Sequence, residues 1–304
     1  FKDMALTILP YLLKTASKKL SISKEIVILT ATSGDTGKAA LEGFADVDGI
    51  KIIVYFPQNG VSEVQKRQMI SQEGNNTYVI GIEGNFDDAQ SGVKSIFTDE
   101  VFNEKLNNKG YMLSSANSIN IGRLVPQVVY YFYAYAQLCK NGEISLGDKI
   151  NFVVPTGNFG NILAGYYAKL MGLPVDKLIC ASNENKVLYD FMSTGTYDKQ
   201  RDFILTMSPS MDILISSNLE RLLYTLSGDE ASKVKDLMEK LNSKGKYIIT
   251  EDMKRELDNF VGGYASEQET MIAIRDVFDA SGYLMDTHTA VAYSVLRDYK
   301  ERTG

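Results

Sequence analysis

Two glycines three residues apart stand in Gly157-Asn158-Phe159-Gly160-Asn161, directly after the largely apolar run Lys149 to Thr156 and before the apolar stretch Ile162 to Gly172. A strand that passes through a glycine loop into a helix aims backbone N–H groups and the positive end of the helix dipole at one spot. Such a spot binds an anion, most often a phosphate. The competing reading is a strand–helix turn in which glycine serves tightness alone. The loop lacks the third glycine of the dinucleotide fingerprint, and no P-loop lysine follows it. A second loop of the same kind is Ser33-Gly34-Asp35-Thr36-Gly37. Its glycines permit close approach, and Ser33 and Thr36 offer hydroxyls. It suits a carboxylate or a second phosphate; otherwise it is a capped helix start with Ser33 or Asp35 as N-cap. A third polar cluster, Ser114 to Arg123, adds the neutral donors Asn117, Ser118 and Asn120 and the guanidinium fork of Arg123, against the plain reading of a surface loop.

The remaining candidates carry less by themselves. Lys2 sits at a chain end, where a lysine is ordinarily solvated, and His288 in Asp286-Thr287-His288-Thr289-Ala290 reads as a structural or helix-start histidine. With one histidine, and with Cys139 and Cys180 in no metal spacing, a metal site or a Ser-His-Asp triad has almost nothing to work with. Catalysis must therefore use Lys, Asp, Ser/Thr or a cofactor. The two cysteines form no disulfide framework, so a reducing cytoplasm is expected.

The elements that must position these loops are legible as alternating periods. Apolar runs at 25–30, 50–56, 77–81, 111–114, 149–155 and 178–182 read as strands, the first two as strands buried on both faces. Helices are expected at 1–19 (with Pro10 a mark against an unbroken one), 38–44, 62–73, 86–106, 121–140 (broken or starting near Pro126), 162–172, 230–243 and 267–280. Strands alternating with helices predict α/β architecture with parallel sheet covered on both faces, and ligands beyond the carboxyl ends of the strands. Both glycine loops lie there. The chain has 304 residues, 44% hydrophobic and 23% charged, with net charge −6, enough for two lobes and too acidic for a nucleic-acid footprint. No apolar run reaches the roughly 18 residues needed to span a membrane. The aromatic residues Tyr130 to Tyr135 read as core and lobe interface.

Taken together, the motifs resemble threonine synthase, a pyridoxal-phosphate enzyme of fold type II. The stretches that carry the resemblance are Phe1-Lys2-Asp3; Ala31 to Gly37; Gly84-Asn85-Phe86-Asp87-Asp88-Ala89-Gln90; Asn117-Ser118-Ile119-Asn120 with Arg123 and Pro126-Gln127; Val154 to Asn161; and Asp286 to Ala292. They span nearly the whole chain, and their joint order is far more specific than any one of them. The resemblance implies the tryptophan synthase β-like fold, with two lobes, each a mostly parallel sheet flanked by helices. Residues 13–123 would form the smaller, inserted lobe, and 1–12 with 124–304 the larger one. The cofactor would lie in the cleft between them, which is expected to close over substrate.

The same resemblance reassigns Lys2 as the lysine that binds pyridoxal 5'-phosphate covalently and moves protons in catalysis. Gly157, Asn158, Phe159, Gly160 and Asn161 would hold the cofactor phosphate. Ser33, Gly34, Asp35, Thr36 and Gly37 would meet the substrate carboxylate, and Asn117, Ser118, Asn120 and Arg123 would line the substrate pocket, with Arg123 or its neighbours meeting the substrate phosphate. The implied reaction is a carbon–oxygen lyase chemistry: O-phospho-L-homoserine and water give L-threonine and phosphate, in the cytoplasm, by a monomer or homodimer with no metal, nucleic acid or membrane partner. The family's segments before the lysine and after the last helix are not in this chain, so it is expected to be a piece of a longer polypeptide and to bind the cofactor weakly or not at all, with Lys2 on an untethered terminus. The alternatives are threonine dehydratase or cysteine synthase with the same cofactor, a nucleotide-binding oxidoreductase, or a non-catalytic relative that keeps the fold. Phe86-Asp87-Asp88 and Asn117 to Asn120 argue against the first pair, and the incomplete fingerprint against the third.

Overall fold

Strand β1 (Glu25–Ala31) is apolar at nearly every position because both of its faces are covered. In the computed structural model, which describes residues 2–32, 34–61 and 63–304 (Lys2, Asp3, Asp35 and Asp87 by their backbone only), contacts gather the chain into a first unit ending at Gln127 and a second, Val128–Gly304. The first unit runs α1 (Lys2–Lys19), β1, α2 (Asp35–Phe44), β2 (Ile50–Pro57), α3 (Glu63–Ile70), β3 (Thr77–Ile82), α4 (Phe86–Thr98), α5 (Glu100–Asn108) and β4 (Tyr111–Ser115). Its sheet has the order β3-β2-β1-β4, every pair parallel. Ile26 and Ile28 face a core with Leu6, Leu9, Leu41, Phe44, Ile52 and Met69, while Val27, Leu29 and Ala31 face Ala89 and Val93 of α4. Residues 2–12, expected from the sequence in the larger lobe, thus place Leu6 and Leu9 in the core of this unit.

Helix α1 runs unbroken through Pro10. Proline brings no N–H for the carbonyl four residues back, which is that of Leu6. That carbonyl oxygen lies where a Cβ on Gly43 of α2 would be only 2.5 Å away, so glycine lets the two helices close on each other at this point. The helix expected over 86–106 is two, because Asp99 ends α4 and caps α5, its carboxylate accepting from the Phe102 N–H.

The second unit runs α6 (Val128–Lys140), β5 (Ile150–Pro155), α7 (Gly160–Leu170), β6 (Val175–Ser182), α8 (Val187–Thr194), β7 (Thr196–Asp198), α9 (Leu219–Leu226), α10 (Ala231–Lys244), β8 (Lys246–Ile248), α11 (Glu251–Glu256), β9 (Phe260–Tyr264), α12 (Glu267–Ser281) and α13 (Thr287–Thr303). Its parallel sheet has the order β5-β6-β9. On β6, Ile179 and Ala181 pack against Val291 and Val295 of α13, and Leu178 meets Gly165 of α7 on the other face. The 121–140 segment is two 3-10 turns, Ile121–Arg123 and Val125–Gln127, followed by α6. Strands β7 and β8 form a short antiparallel pair that stacks Tyr197 on Tyr247 with ring centroids 5.3 Å apart. Among the described residues, no helix is long and apolar enough to cross a membrane, and no His/Cys/Asp/Glu group could hold a metal.

Candidate cofactor and substrate site

The loop from β5 to α7 is built so that its carbonyls and its amides part. The Gly157 carbonyl accepts from Ser216 Oγ at 2.6 Å, and the Asn158 carbonyl accepts from the backbone N–H and the side-chain Nδ2 of Asn218, at 3.1 and 3.0 Å. In a trans peptide the N–H points opposite to the C=O. The N–H groups of Asn158 and Phe159 therefore point away from the 216–218 segment. Phe159 follows at φ 64°, ψ −5°, a left-handed conformation uncommon outside glycine, and its side chain is buried against Phe260, centroids 5.8 Å apart. An apolar residue at the N-cap leaves the first-turn donors of α7 with no side-chain cap from that position. The two glycines differ. A Cβ on Gly157 would stand 2.6 Å from the Ser210 carbonyl oxygen, whereas one on Gly160 would meet only Asn218 Nδ2, at 3.5 Å. Gly157 is demanded by backbone packing, and the space before Gly160 is open. Asn161 turns its Oδ1 to the Tyr131 hydroxyl, 2.9 Å away, which fixes the side chain on α6.

Behind this loop lies the segment 206–218, held by a buried polar network. Asp212 Oδ1 accepts from Asn183 Nδ2, Asn185 Nδ2 and Thr206 Oγ1 at 2.8, 2.9 and 2.7 Å, and its Oδ2 accepts from the Thr206 N–H at 3.0 Å. Four donors satisfy this half-buried carboxylate. Asn183 and Asn185 follow the carboxyl end of β6, so the clamp hangs from the sheet. Cys180, one strand turn earlier, is inert: burial pushes its thiol up to about 12 despite a hydrogen bond with Thr156.

In the first unit, the loop after β1 turns on Thr32, whose Oγ1 accepts from both the Gly34 and the Gly37 N–H at 2.9 Å. Gly34 has φ 143°, which a side chain rarely adopts, and a Cβ there would fall 2.4 Å from Cδ at the end of the Gln65 side chain. Gly37 is packed against Thr32 Cγ2 and Met69 Sδ. Thr36 stands half-buried in the first turn of α2, Asp35 is described by its backbone at the helix start, and Ser33 lies outside the described residues. The loop after β4 is stitched to the same place: Asn117 Nδ2 donates to the Ala31 carbonyl at 2.7 Å, and the Ala31 N–H donates to Asn117 Oδ1 at 3.0 Å. Asn120 caps the 3-10 turn through the Gly122 N–H and donates to the Ser115 carbonyl at 2.8 Å. Arg123 is buried and donates to the Ala116 carbonyl. Ser118 is half-buried in the same loop. The structure thus brings the 31–37 and 117–123 loops together at the carboxyl ends of β1 and β4, and it gives Asn117, Asn120 and Arg123 main-chain partners there. Lys2 opens α1; the helix that carries it is seated by Gly43 on α2 and by Leu9, whose Cδ1 would be 2.5 Å from a Cβ on Gly122.

The profile of the family described as pyridoxal-phosphate dependent enzyme matches residues 1–304. The chain belongs to that family. It is 44% identical over its whole length to human threonine synthase-like 1, and 43% identical over 98% of its length to threonine synthase of Pseudomonas aeruginosa. It spans 42% and 61% of those two proteins. The crystal structure of pyridoxal-phosphate-bound threonine synthase from Brucella melitensis superposes with a TM-score of 0.88 at 42% identity, covering 98% of this chain and 62% of that one. The architecture is fold type II, and pyridoxal 5'-phosphate is the family's cofactor.

The second unit fits the phosphate of that cofactor. Carbonyls drawn back to Ser216 and Asn218, no side-chain cap at the start of α7 and only Asn218 Nδ2 near Gly160 are features an anion seat requires. Reading the sequence missed the residues that hold the family's loop in place: Ser210, Ser216, Asn218 and the Asp212 clamp. Ser210, Asp212, Ser216 and Asn218 lie about 50 to 60 residues beyond the loop. The usable signal was Asn183-x-Asn185 at the carboxyl end of a strand, where ligand sites of such sheets gather.

Proposed function

We propose that this chain is the catalytic portion of a threonine synthase, converting O-phospho-L-homoserine and water to L-threonine and phosphate. The observation that carries the reading is 43% identity to a bacterial threonine synthase across 98% of the chain, with both glycine loops in place. On this reading Gly157 to Asn161 hold the cofactor phosphate, and Lys2 is the catalytic lysine and the covalent partner of the cofactor. Gly34, Asp35, Thr36 and Gly37, with Ser33, meet the substrate carboxylate. Asn117, Ser118, Asn120 and Arg123 form the other wall of the substrate pocket; Arg123 sets the loop through Ala116 and lends its charge to the substrate phosphate. The lobe division 13–123 against 1–12 with 124–304 belongs to the same reading, with helix 2–19 the segment whose allegiance it has to explain.

Pyridoxal phosphate, when bound, supplies an electron sink for negative charge at the α carbon. The Lys2 amine would take protons from the α and β carbons; phosphate leaves from Cγ, a proton is delivered to Cγ, water adds its hydroxyl at Cβ, and a proton returns to the α carbon. Neutral donors at Asn117 to Asn120 orient a phosphorylated substrate without demanding a metal. An acidic chain with two free cysteines suits a cytoplasmic enzyme of a small molecule, as a monomer or homodimer. The test is phosphate release from O-phosphohomoserine by the full-length protein with pyridoxal phosphate. Release with no turnover of serine or O-acetylserine supports threonine synthase. Turnover of either of those instead assigns a dehydratase or cysteine synthase. A Lys2→Ala variant that keeps the visible absorbance of the bound cofactor and its turnover refutes the role of Lys2.

A further inference from the structure

The single histidine takes no part in the chemistry above, yet two contacts fix its tautomer. His288 Nε2 lies 3.2 Å from the backbone nitrogen of Ser210, which can only donate, so Nε2 accepts. Nδ1 lies 3.2 Å from Asp286 Oδ1, so Nδ1 carries the proton and donates to the carboxylate. Asp286 is itself fixed as the N-cap of α13, accepting from the His288 and Thr289 N–H groups. Ser210 is the residue whose carbonyl oxygen abuts Gly157. The peptide that contains this carbonyl, the next one along from the peptide whose N–H meets His288, is held by the Met211 N–H donating to the Ser208 carbonyl at 2.9 Å.

We infer that His288 is a positioning residue for the phosphate seat. It anchors the Ser210 turn, the turn sets the depth of Gly157, and Gly157 opens the loop whose N–H groups meet the phosphate. The inference rests on the assignment of Gly157 to Asn161 as the cofactor phosphate seat, and the experiment separates the two. Full-length wild-type, His288→Gln and His288→Asn proteins, stripped of cofactor, are titrated with pyridoxal 5'-phosphate and with pyridoxal. The ratio of the two affinities isolates the phosphate. Glutamine can place an oxygen where Nε2 accepts; asparagine reaches only the Nδ1 position. The expected result is that Gln keeps the wild-type ratio within about twofold, while Asn lowers it about fivefold or more, as loss of one supporting hydrogen bond would. A general structural defect lowers both affinities together and leaves the ratio unmoved. An Asn variant with the wild-type ratio overturns the role of His288 and leaves the seat intact. A wild-type protein with no preference for the phosphorylated form overturns the seat, and this inference with it.

Discussion

The contrast between Gly157 and Gly160 gives a paired perturbation in which two alanines must act on different quantities. In Gly157→Ala, the new methyl stands 2.6 Å from the Ser210 carbonyl oxygen and 3.2 Å from Met211 Cα, so it falls about 0.8 Å short of ordinary contact at 3.4 Å. Both neighbours are backbone, and the turn is held by His288 and Ser208, so it yields poorly. Overpacking of this kind costs roughly 1–3 kcal/mol, against about 0.4–1 kcal/mol gained from a stiffer unfolded chain, for a net loss of about 1–2 kcal/mol. In Gly160→Ala, the methyl meets one amide nitrogen at 3.5 Å and nothing closer, so the apoprotein gains about 0.4–1 kcal/mol. The same methyl stands on the first residue of α7, beside the donors proposed to hold the phosphate. If it displaces the ligand from one charge-assisted hydrogen bond, the loss is about 1.5–3 kcal/mol, a tenfold to roughly hundredfold weaker dissociation constant. Urea unfolding of the apoproteins and titration with pyridoxal phosphate measure the two effects separately. The reasoning is refuted if Gly160→Ala destabilises the apoprotein as Gly157→Ala does, or if it binds pyridoxal phosphate with wild-type affinity.

Three further outcomes are expected. Thr32→Val keeps the shape of the side chain but takes the acceptor from the Gly34 N–H and leaves the Gly37 N–H only the Gly34 carbonyl at 3.1 Å, and should lower the stability of the first unit by about 1–3 kcal/mol in urea unfolding. Asn117→Ala removes two hydrogen bonds to Ala31 and should both destabilise that unit by about 1–3 kcal/mol and raise KM for substrate, seen by comparing unfolding with steady-state kinetics. Acid should weaken the second unit through two helix caps. Asp286 is pushed up by burial but held lower overall by hydrogen bonds from Thr289 and the His288 N–H, and Glu269 is lowered by the Ser266 N–H and hydroxyl. A carboxyl whose folded pKa is depressed contributes stability above its unfolded value, near 4, and loses it as pH falls through the folded value. Both side chains are largely exposed, so each contributes less than about 1 kcal/mol. Asp286→Asn and Glu269→Gln should therefore flatten the decline in stability below about pH 4, and an unchanged decline would exclude the caps as its source.

What could be read along the chain was whatever rests on local periodicity. Strand β1 announced itself because a strand covered on both faces has no polar face to interrupt the run. The helix after the glycine loop was legible because an apolar strand runs through two glycines into an apolar helical stretch. Strand β9 was not, because Phe260-Val261-Gly262-Gly263-Tyr264 carries two glycines that lower any strand signal. They are there because a Cβ on Gly263 would be 2.4 Å from Val295 Cγ1 of α13. The reason for that composition lies more than 30 residues away. Helix α1 was legible from its periodicity over 1–19, and Pro10, a mark against an unbroken helix, stands inside it where the Leu6 carbonyl closes on Gly43.

The candidate site divides along the same line, and the division explains why its motif alone was ambiguous. The five residues 157–161 determine that amides gather, but a gathered set of amides binds an anion only if the carbonyls beside them are drawn elsewhere and the N-cap does not satisfy them first. Ser216 and Asn218 draw the carbonyls away, and Phe159, held left-handed and buried against Phe260, supplies a cap that cannot hydrogen-bond. A strand–helix turn that merely uses glycine for tightness would show the reverse: a serine or aspartate at the N-cap and glycine crowded at both positions. Here Gly157 is crowded and Gly160 is not. That asymmetry, which no spacing rule contains, is what the proposed phosphate seat requires and a turn that only packs does not.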